Sequence, residues 1–409
     1  MEITVQNMPA WSVLKMRHSM GVIPFLLAIS ALPALAATLP AYCGAVGAKS
    51  YTPPAVTIPA VVLNRGTVIT VTNTSMLING DTSSVAALVA NPGPDGISLQ
   101  EAVIATNNDP GTWNIQFAPA LMGSTIVVDS GPIPGLSWLS GGNVTINGDI
   151  NGDGQPDITL TSLSGAGIIL IGSGGNTLNG LAIQGCQNCV TIRGPASLGL
   201  TSAPGTTFSN TTLANLVITN FQQAGILFCP NCGATPASPT GNTWDNVLIV
   251  GNTITGNASG ETGIQEQLAW GDTLQHLTIA NNNIDLPMQG AMGIGLSVGN
   301  GLGPPDQGPD TMLDILVANN TITATLGISF DGSSTSALID GVREIGNQIS
   351  STGGAGIGFM AADVETGVGT DLAQLWNNNI IRNIAILANN IVGPGVEIQI
   401  VVGGNAAAN

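Results

Sequence analysis

Ile249-Val250-Gly251-Asn252-Thr253-Ile254 and, thirty residues later, Ile279-Ala280-Asn281-Asn282-Asn283-Ile284 decide how this chain folds. The phrase is apolar-x-x-Asn-x-apolar. It returns at Val317–Ile322 and, with an acid in the first place, at Glu344–Ile349. Degenerate copies end at Asn220 and span Leu387–Ile391. A second phrase follows each one, Gly-Ile or Gly-Val opening a strand. It stands at Gly225-Ile226, Gly263-Ile264, Gly293-Ile294, Gly327-Ile328, Gly356-Ile357 and Gly395-Val396. Successive gaps are 38, 30, 34, 29 and 39 residues.

Two fixed strand phrases with connections of variable length describe a solenoid. Helical repeats of this length need Lys, Glu and Arg on their surfaces. Only 8% of this chain is charged, so they are excluded. The Leu spacing of leucine-rich repeats is absent. The expected fold is all-β: a single-stranded right-handed parallel β-helix of about nine rungs, each giving two or three short strands. The Asn column has a physical reason. An Asn at a tight turn tolerates the left-handed conformation and can bond its copy one rung, about 4.8 Å, away. The Ile after it is expected to point inward and stack.

Composition agrees. The 409 residues include 55 Gly and many Val, Ile, Thr and Asn, the mixture of short strands and frequent turns. A net charge of −17 repels phosphate backbones and argues against nucleic-acid binding. The first 36 residues read as a signal peptide: a basic stretch with Lys15, Arg17 and His18, an apolar run from Gly21 to Leu35, and Ala34-Leu35-Ala36 as the cleavage rule requires. Export to the periplasm, cell surface or medium is the expected localisation. No transmembrane segment is expected in the mature chain. Cutting after Ala36 removes Glu2, Lys15 and Arg17, leaving 23 acids and 5 bases. Residues 37–90 read as an Ala/Pro/Thr-rich leader with strand-like stretches at Ala60–Leu63 and Thr67–Val71. The β-helix is expected over 91–409. Ser98-Leu99-Gln100-Glu101 is a capping box opening a helix to Asn107, the one convincing helix of the mature chain.

That helix, followed by Asn114-Ile115-Gln116-Phe117-Ala118-Pro119-Ala120-Leu121, Thr125-Ile126 and Val144-Thr145-Ile146-Asn147-Gly148-Asp149, resembles the N-terminal cap of exported bacterial right-handed β-helix proteins of the pectin-lyase-like superfamily. There a Ser-Leu-Arg-Glu-Ala-type helix precedes the first rung, and Gln100 departs from its Arg. The resemblance implies fold and export. The superfamily includes lyases, glycosidases, phage tailspikes and adhesins, so chemistry must come from the site.

Strand alternation turns two columns of each Gly-Ile strand outward. They read Thr191/Arg193, Leu227/Cys229, Gln265/Gln267, Gly295/Ser297, Ser329/Asp331, Gly358/Met360 and Glu397/Gln399. The connections Cys229–Gly241, Gly299–Leu313 and Ala361–Leu372 can wall this face. The resemblance implies a substrate groove there, with Arg193, Gln265, Gln267, Ser297, Ser329 and Glu397 as binding residues. Glu266 falls inward, beside Phe228, Leu296, Phe330 and Phe359. Either it is a general acid with a raised pKa, or the register slips or bulges there, which is the favoured expectation.

A lyase needs a base and a cation at the substrate carboxylate, and the mature chain offers only Lys49, Arg65, Arg193, Arg343, Arg382 and His276. A retaining or inverting hydrolase needs two carboxyls about 5–9.5 Å apart. Asp331 and Glu266 are the catalytic candidates, with Glu261 and Asp363 in reserve. Asp149, Asn151, Asp153 and Asp157, around Gly154, match the first half of a calcium loop. Leu160 stands where the twelfth-position glutamate belongs, so calcium would brace a turn. Cys186-x-x-Cys189 and Cys229-x-x-Cys232 have zinc spacing, but export favours local disulfides. Zinc ranks below disulfides, beside free or cross-paired thiols, and Cys43 is left over. His276 aligns with Asn246 and Asp314 in a column on another strand, a His–Asp contact or a plain polar surface. The favoured function is a secreted or surface module that binds extracellular polysaccharide or serves as an adhesin-like scaffold. The rival is a polysaccharide lyase or glycoside hydrolase using the same face.

Overall fold

The computed structural model describes residues 2–3, 12–16, 56–63, 66–129, 136, 139–165, 167, 169–194, 205–229, 241–268, 271–298, 310–332, 337–361, 380–394 and 398–402. The repeat phrases become a coil of three stacked sheets. One rung is Thr243–Val250 in sheet 1, Thr253–Thr255 in sheet 2 and Thr262–Leu268 in sheet 3. Every rung-to-rung pairing is parallel. Sheet 1 runs from Thr67–Val71 to Ile384–Leu387, sheet 2 from Thr125–Val127 to Asn390–Val392, and sheet 3 from Ile169–Ile171 to Ile398–Val402. Among the described residues ten rungs enter sheet 1, at Thr67, Trp113, Val144, Thr177, Thr207, Thr243, Thr273, Thr311, Leu338 and Ile380. This is an all-β parallel β-helix.

The Ile of the Asn phrase stacks inward as its spacing predicts. Ile218, Ile254, Ile284, Ile322, Ile349 and Ile391 are in register down sheet 2. This column also explains the glycine of the second phrase. A Cβ on Gly263 would meet Ile284 Cγ2 at 2.6 Å and the Gly293 carbonyl at 2.7 Å, so the isoleucines exclude any larger residue. Aromatic stacking adds to the core. Phe330 and Phe359 lie face to face at 4.9 Å, and Trp244 stacks on Phe208 at 4.6 Å.

The Asn column is a ladder through Asn252, Asn282, Asn320, Asn347 and Asn389, buried in all but the last. Each Nδ2 from Asn252 to Asn347 donates to the next Oδ1 at 2.9 Å. The same amides donate to backbone carbonyls, Asn320 to Ile279 at 2.9 Å for example. Each next Oδ1 also accepts the backbone N–H of the residue before it in the ladder. The left-handed residue lies one place earlier than expected. Asn215, Gly251, Asn281, Asn319, Gly346 and Ala388 hold the positive φ, and the ladder asparagines do not. The turn needs a left-handed residue at the exposed position and an amide at the buried one.

The coil begins earlier than residue 91. Thr67–Val71 is the first strand of sheet 1, parallel to Trp113–Phe117. A second, short helix, Val85–Ala90, follows, capped by the Ser84 hydroxyl accepting the Ala87 N–H at 3.1 Å. Ala60–Leu63 forms no strand. Val56, Ile58 and Val61 instead pack over an apolar strip outside sheet 1 that includes Leu248, Leu316 and Ile345. The capping box forms as read, and its helix is Leu99–Asn108. Glu101 accepts N–H bonds from Ser98, Asn79 and Gly80, tying the helix to the preceding loop. Leu99, Ala102, Val103 and Ala105 are buried in the same core as Ile69 and Ile115.

Of residues 1–36, only two short strands are described. Glu2–Ile3 pairs antiparallel with Ile384 and Ala385, and Ser12–Met16 with Ile398–Val402. The Ala36 cleavage position and Cys43 lie outside the described residues. No helix among the described residues is long and apolar enough to cross a membrane.

Candidate functional site

The outer face of sheet 3 is set by strand register. One column reads Thr191, Leu227, Gln265, Gly295, Ser329 and Gly358, as alternation predicts. The second carries Gln267, Ser297, Asp331 and Met360 in register. At its upstream end the ladder continues through Cys229 N–H to the Ile192 carbonyl, beside Arg193. The last rung departs from expectation by two residues. Ile398, not Val396, continues the inward Ile357 column, so Gln399 takes the place expected of Glu397. Glu397 itself, Cys232, Asp363 and most of the three expected groove walls lie outside the described residues.

The face is polar and nearly uncharged. Gln265, Gln267, Ser297, Ser329 and Asp331 are each part-exposed. Upstream it closes over: Leu227 and Cys229 are buried with Ala224 in an outside apolar cluster. Asp331 is the one carboxyl directed outward from these strands among the described residues. Arg193 is half-buried and its Nε has no partner. Burial pulls its guanidinium below the ordinary value. It stands four rungs from Asp331, about 19 Å at the spacing of neighbouring strands, so the two cannot grip one sugar carboxylate together.

Glu266 does not slip. It is in register with Phe228 and Leu296, faces inward and is 1% exposed. The Ser297 N–H donates to its Oε2 at 3.0 Å, and its Oε1 has no partner. Burial pushes its carboxyl well above the ordinary range; the Ser297 bond opposes this and the Asp310 charge adds to it. Asp310, at the turn into sheet 1, accepts the Gly271 N–H at 2.6 Å. Its carboxyl is pushed up to about 6, by burial against bonds from Gly271 and Asp272. Glu261 is also buried, before the sheet 3 strand, with Oε2 accepting the Ala258 N–H at 2.9 Å. Burial raises it against the Ala258 and Asn257 bonds. The two catalytic candidates are therefore on opposite sides of one sheet. Asp331 faces out and Glu266 faces the interior.

A further acid carries no such bond. Glu344 is fully buried in sheet 1, between Val317 and Ile386 in register, and neither carboxylate oxygen has a partner. Burial alone pushes it up to about 8. The sequence held the signal, because Glu344 occupies the first place of the Asn phrase, where Ile249, Ile279 and Val317 stand.

The Asp149–Asp157 loop closes on its own backbone. Asp149 accepts N–H bonds from Gly152 at 2.7 Å and Gly154 at 3.0 Å, and Asp157 from Ile150 at 2.7 Å and Asn151 at 3.1 Å. Asn151 and Asp153 bond to each other. Cys186 and Cys189 form a disulfide, and Cys229 is disulfide-bonded too. Among the described residues these three sulfurs are in disulfides and are not zinc thiolates; Cys232 lies outside the described residues.

The His276 column also takes shape. Sheet 1 strands bend at a left-handed residue, at Asn210, Asn246, His276, Asp314 and Asn383, with φ from 52° to 63°. Asn, Asp and His are the residues that tolerate this backbone best. His276 Nδ1 lies 2.7 Å from Asp245 Oδ1, and Nε2 lies 3.7 Å from Asp314 Oδ2. Asp245, one residue outside the aligned column, is reached because the bend turns the ring toward the previous rung.

The chain matches no family model, no curated protein and no solved structure.

Proposed function

We propose that this protein is a secreted or cell-surface scaffold of the pectin-lyase-like kind, binding a neutral extracellular glycan on the outer face of sheet 3. One observation carries the reading: this face bears amides and hydroxyls around a single outward carboxyl among the described residues, while the other acid of the sheet faces the core. Neutral sugars are held by such donors and acceptors on a flat surface. Glycoside hydrolysis needs two carboxyls converging on one bond, and Glu266 and Asp331 do not converge. The acidic chain also disfavours a polyuronate. Calcium, where it binds, belongs at Asp149, Asn151, Asp153 and Asp157 and braces that turn away from the glycan face.

The test offers neutral and acidic polysaccharides to the full chain, with and without Ca²⁺. It follows reducing ends, the ultraviolet absorbance of unsaturated products, and retention on immobilised glycans. Retention on a neutral glycan with both product channels silent is the expected result. New reducing ends would make the protein a hydrolase, and unsaturated products would make it a lyase; either overturns the scaffold reading.

A further inference from the structure

The last rung of the coil is not covered as the others are. Ile391 and Ile398 continue the inward columns of Ile349 and Ile357. Ile349 and Ile357 are buried, whereas Ile391 and Ile398 are part-exposed. The last strand of sheet 3 is Ile398-Gln399-Ile400-Val401-Val402, uncharged and mostly β-branched. Such a strand at a sheet edge is a template for another strand. The chain itself shows the sense of addition. Ser12–Met16 lies antiparallel on that edge, from Ser12 opposite Val402 to Met16 opposite Ile398. Glu2–Ile3 lies antiparallel on Ile384 and Ala385 of sheet 1. The rungs themselves pair in parallel, so this edge accepts a strand of the opposite sense.

The two ends of the coil are not complementary. Among the described residues sheet 1 starts at Thr67 but sheet 3 only at Ile169–Ile171, two rungs later, and the Leu99–Asn108 helix packs against Thr67–Val71. A copy arriving head to tail brings no five-residue sheet 3 edge to meet Ile398–Val402. A copy arriving tail to tail does. A two-fold axis at Ile400 sets Ile398 opposite Val402 and Gln399 opposite Val401, antiparallel, and such a contact closes at two copies. We propose that the C-terminal edge of sheet 3 is the docking surface for a second copy of this chain, tail to tail, and that Ser12–Met16 competes for it from within the chain. Removal of residues 1–36, expected of a signal peptide, takes the competitor away. That release rests on the export reading; the pairing of the two edges does not.

The experiment follows the mass of the full chain by sedimentation velocity, so cleavage plays no part in it. Val13→Pro with Leu14→Pro changes adjacent residues, one of which must lose an N–H on the paired side, and so releases the inner strand. Freeing a blocked edge is expected to tighten dimerisation at least about tenfold over the unaltered chain. Gln399 and Val401 are in register with Gly358 and Met360 of the outer face, so charges there stay out of the core. Added to the proline pair, Gln399→Lys with Val401→Lys sets like charges opposite each other twice across the axis and is expected to return the chain to a monomer. Gln399→Lys with Val401→Glu makes both pairs opposite in sign and is expected to restore the dimer, which keeps a misfolded edge from being mistaken for repulsion. A proline variant that stays monomeric up to its solubility limit overturns the proposal. So does a dimer that the two lysines leave intact, or one that the Lys/Glu pair fails to restore.

Discussion

Two regions of the coil interior hold polar side chains, and they solve the problem in opposite ways. At the corner between sheets 1 and 2, the ladder from Asn252 to Asn389 gives every buried amide a partner above, below and in the backbone. Inside the sheets, Glu344 has no partner and Glu266 has one for only one oxygen. A neutral amide repeated at one rung spacing satisfies itself. A solitary carboxyl in an apolar column can only give up its charge, since burying an unpaired ion costs far more than holding a proton.

Breaking the ladder should have the largest effect. Asn320→Ala removes one acceptor oxygen that takes two bonds and an amide that donates two, stranding the Asn282 N–H and leaving Asn347 Oδ1 with only the backbone N–H of residue 320. One buried group left unpaired costs about 1–3 kcal/mol and each of the three other lost bonds about 0.5–1.5 kcal/mol, so a loss of roughly 3–5 kcal/mol is expected. Chemical denaturation with hydrogen exchange at the neighbouring rungs would measure it. A loss below about 1 kcal/mol would mean that water enters the corner freely.

The carboxyl side of the comparison is tested by pH. Glu344 titrates at about 8 in the fold against an ordinary 4.5. The folded state therefore holds the proton longer than the unfolded state. Its stabilising contribution is complete below about pH 4.5, falls as pH rises, and is gone above about 8. One pKa unit is about 1.4 kcal/mol, so the swing is on the order of 5 kcal/mol. Glu344→Gln should remove most of it and raise stability at pH 8, seen as a higher urea midpoint.

A smaller effect is expected at the glycine column that makes room for the isoleucines. Gly263→Ala pushes a methyl into Ile284 and the Gly293 carbonyl. Overpacking of this kind costs about 1–3 kcal/mol, and Ile284→Ala, which removes the Cγ2 that the new methyl meets, should make Gly263→Ala less costly in a double-mutant comparison. The smallest effect on stability belongs to the outer face. Asp331→Ala should move the denaturation midpoint by no more than about 0.5 kcal/mol while weakening glycan retention.

Much of this was readable from the residues. The Ile254-to-Ile391 column and the Gly-Ile strands follow from a period that leaves only one stacking solution. Two of the departures in sheet 3 have identifiable reasons. Gly395-Val396 imitates the strand phrase, but Ile398 takes the inward column. A shift of two residues preserves the in-out alternation, so the pattern cannot detect it. The cost of burying an acid favours a slip at Glu266, yet alternation holds and the acid sits in register with Phe228 and Leu296. Asp245 escaped notice because the left-handed bend at His276 moves the ring off its own column. The polar face was legible as a surface. Its ligand was not, since Gln and Ser in a sheet serve solvent as well as sugar.

The central claim is that the acids inside this coil are uncharged core residues and not catalytic groups. The most direct measurement compares the unaltered chain with Glu266→Gln, following the urea midpoint from pH 4 to pH 9 alongside glycan retention and product release. The account predicts that Glu266→Gln flattens the fall of stability with rising pH, leaves retention unchanged, and that neither protein releases product. A product signal from the unaltered chain that Glu266→Gln abolishes, with unchanged stability curves, would contradict it.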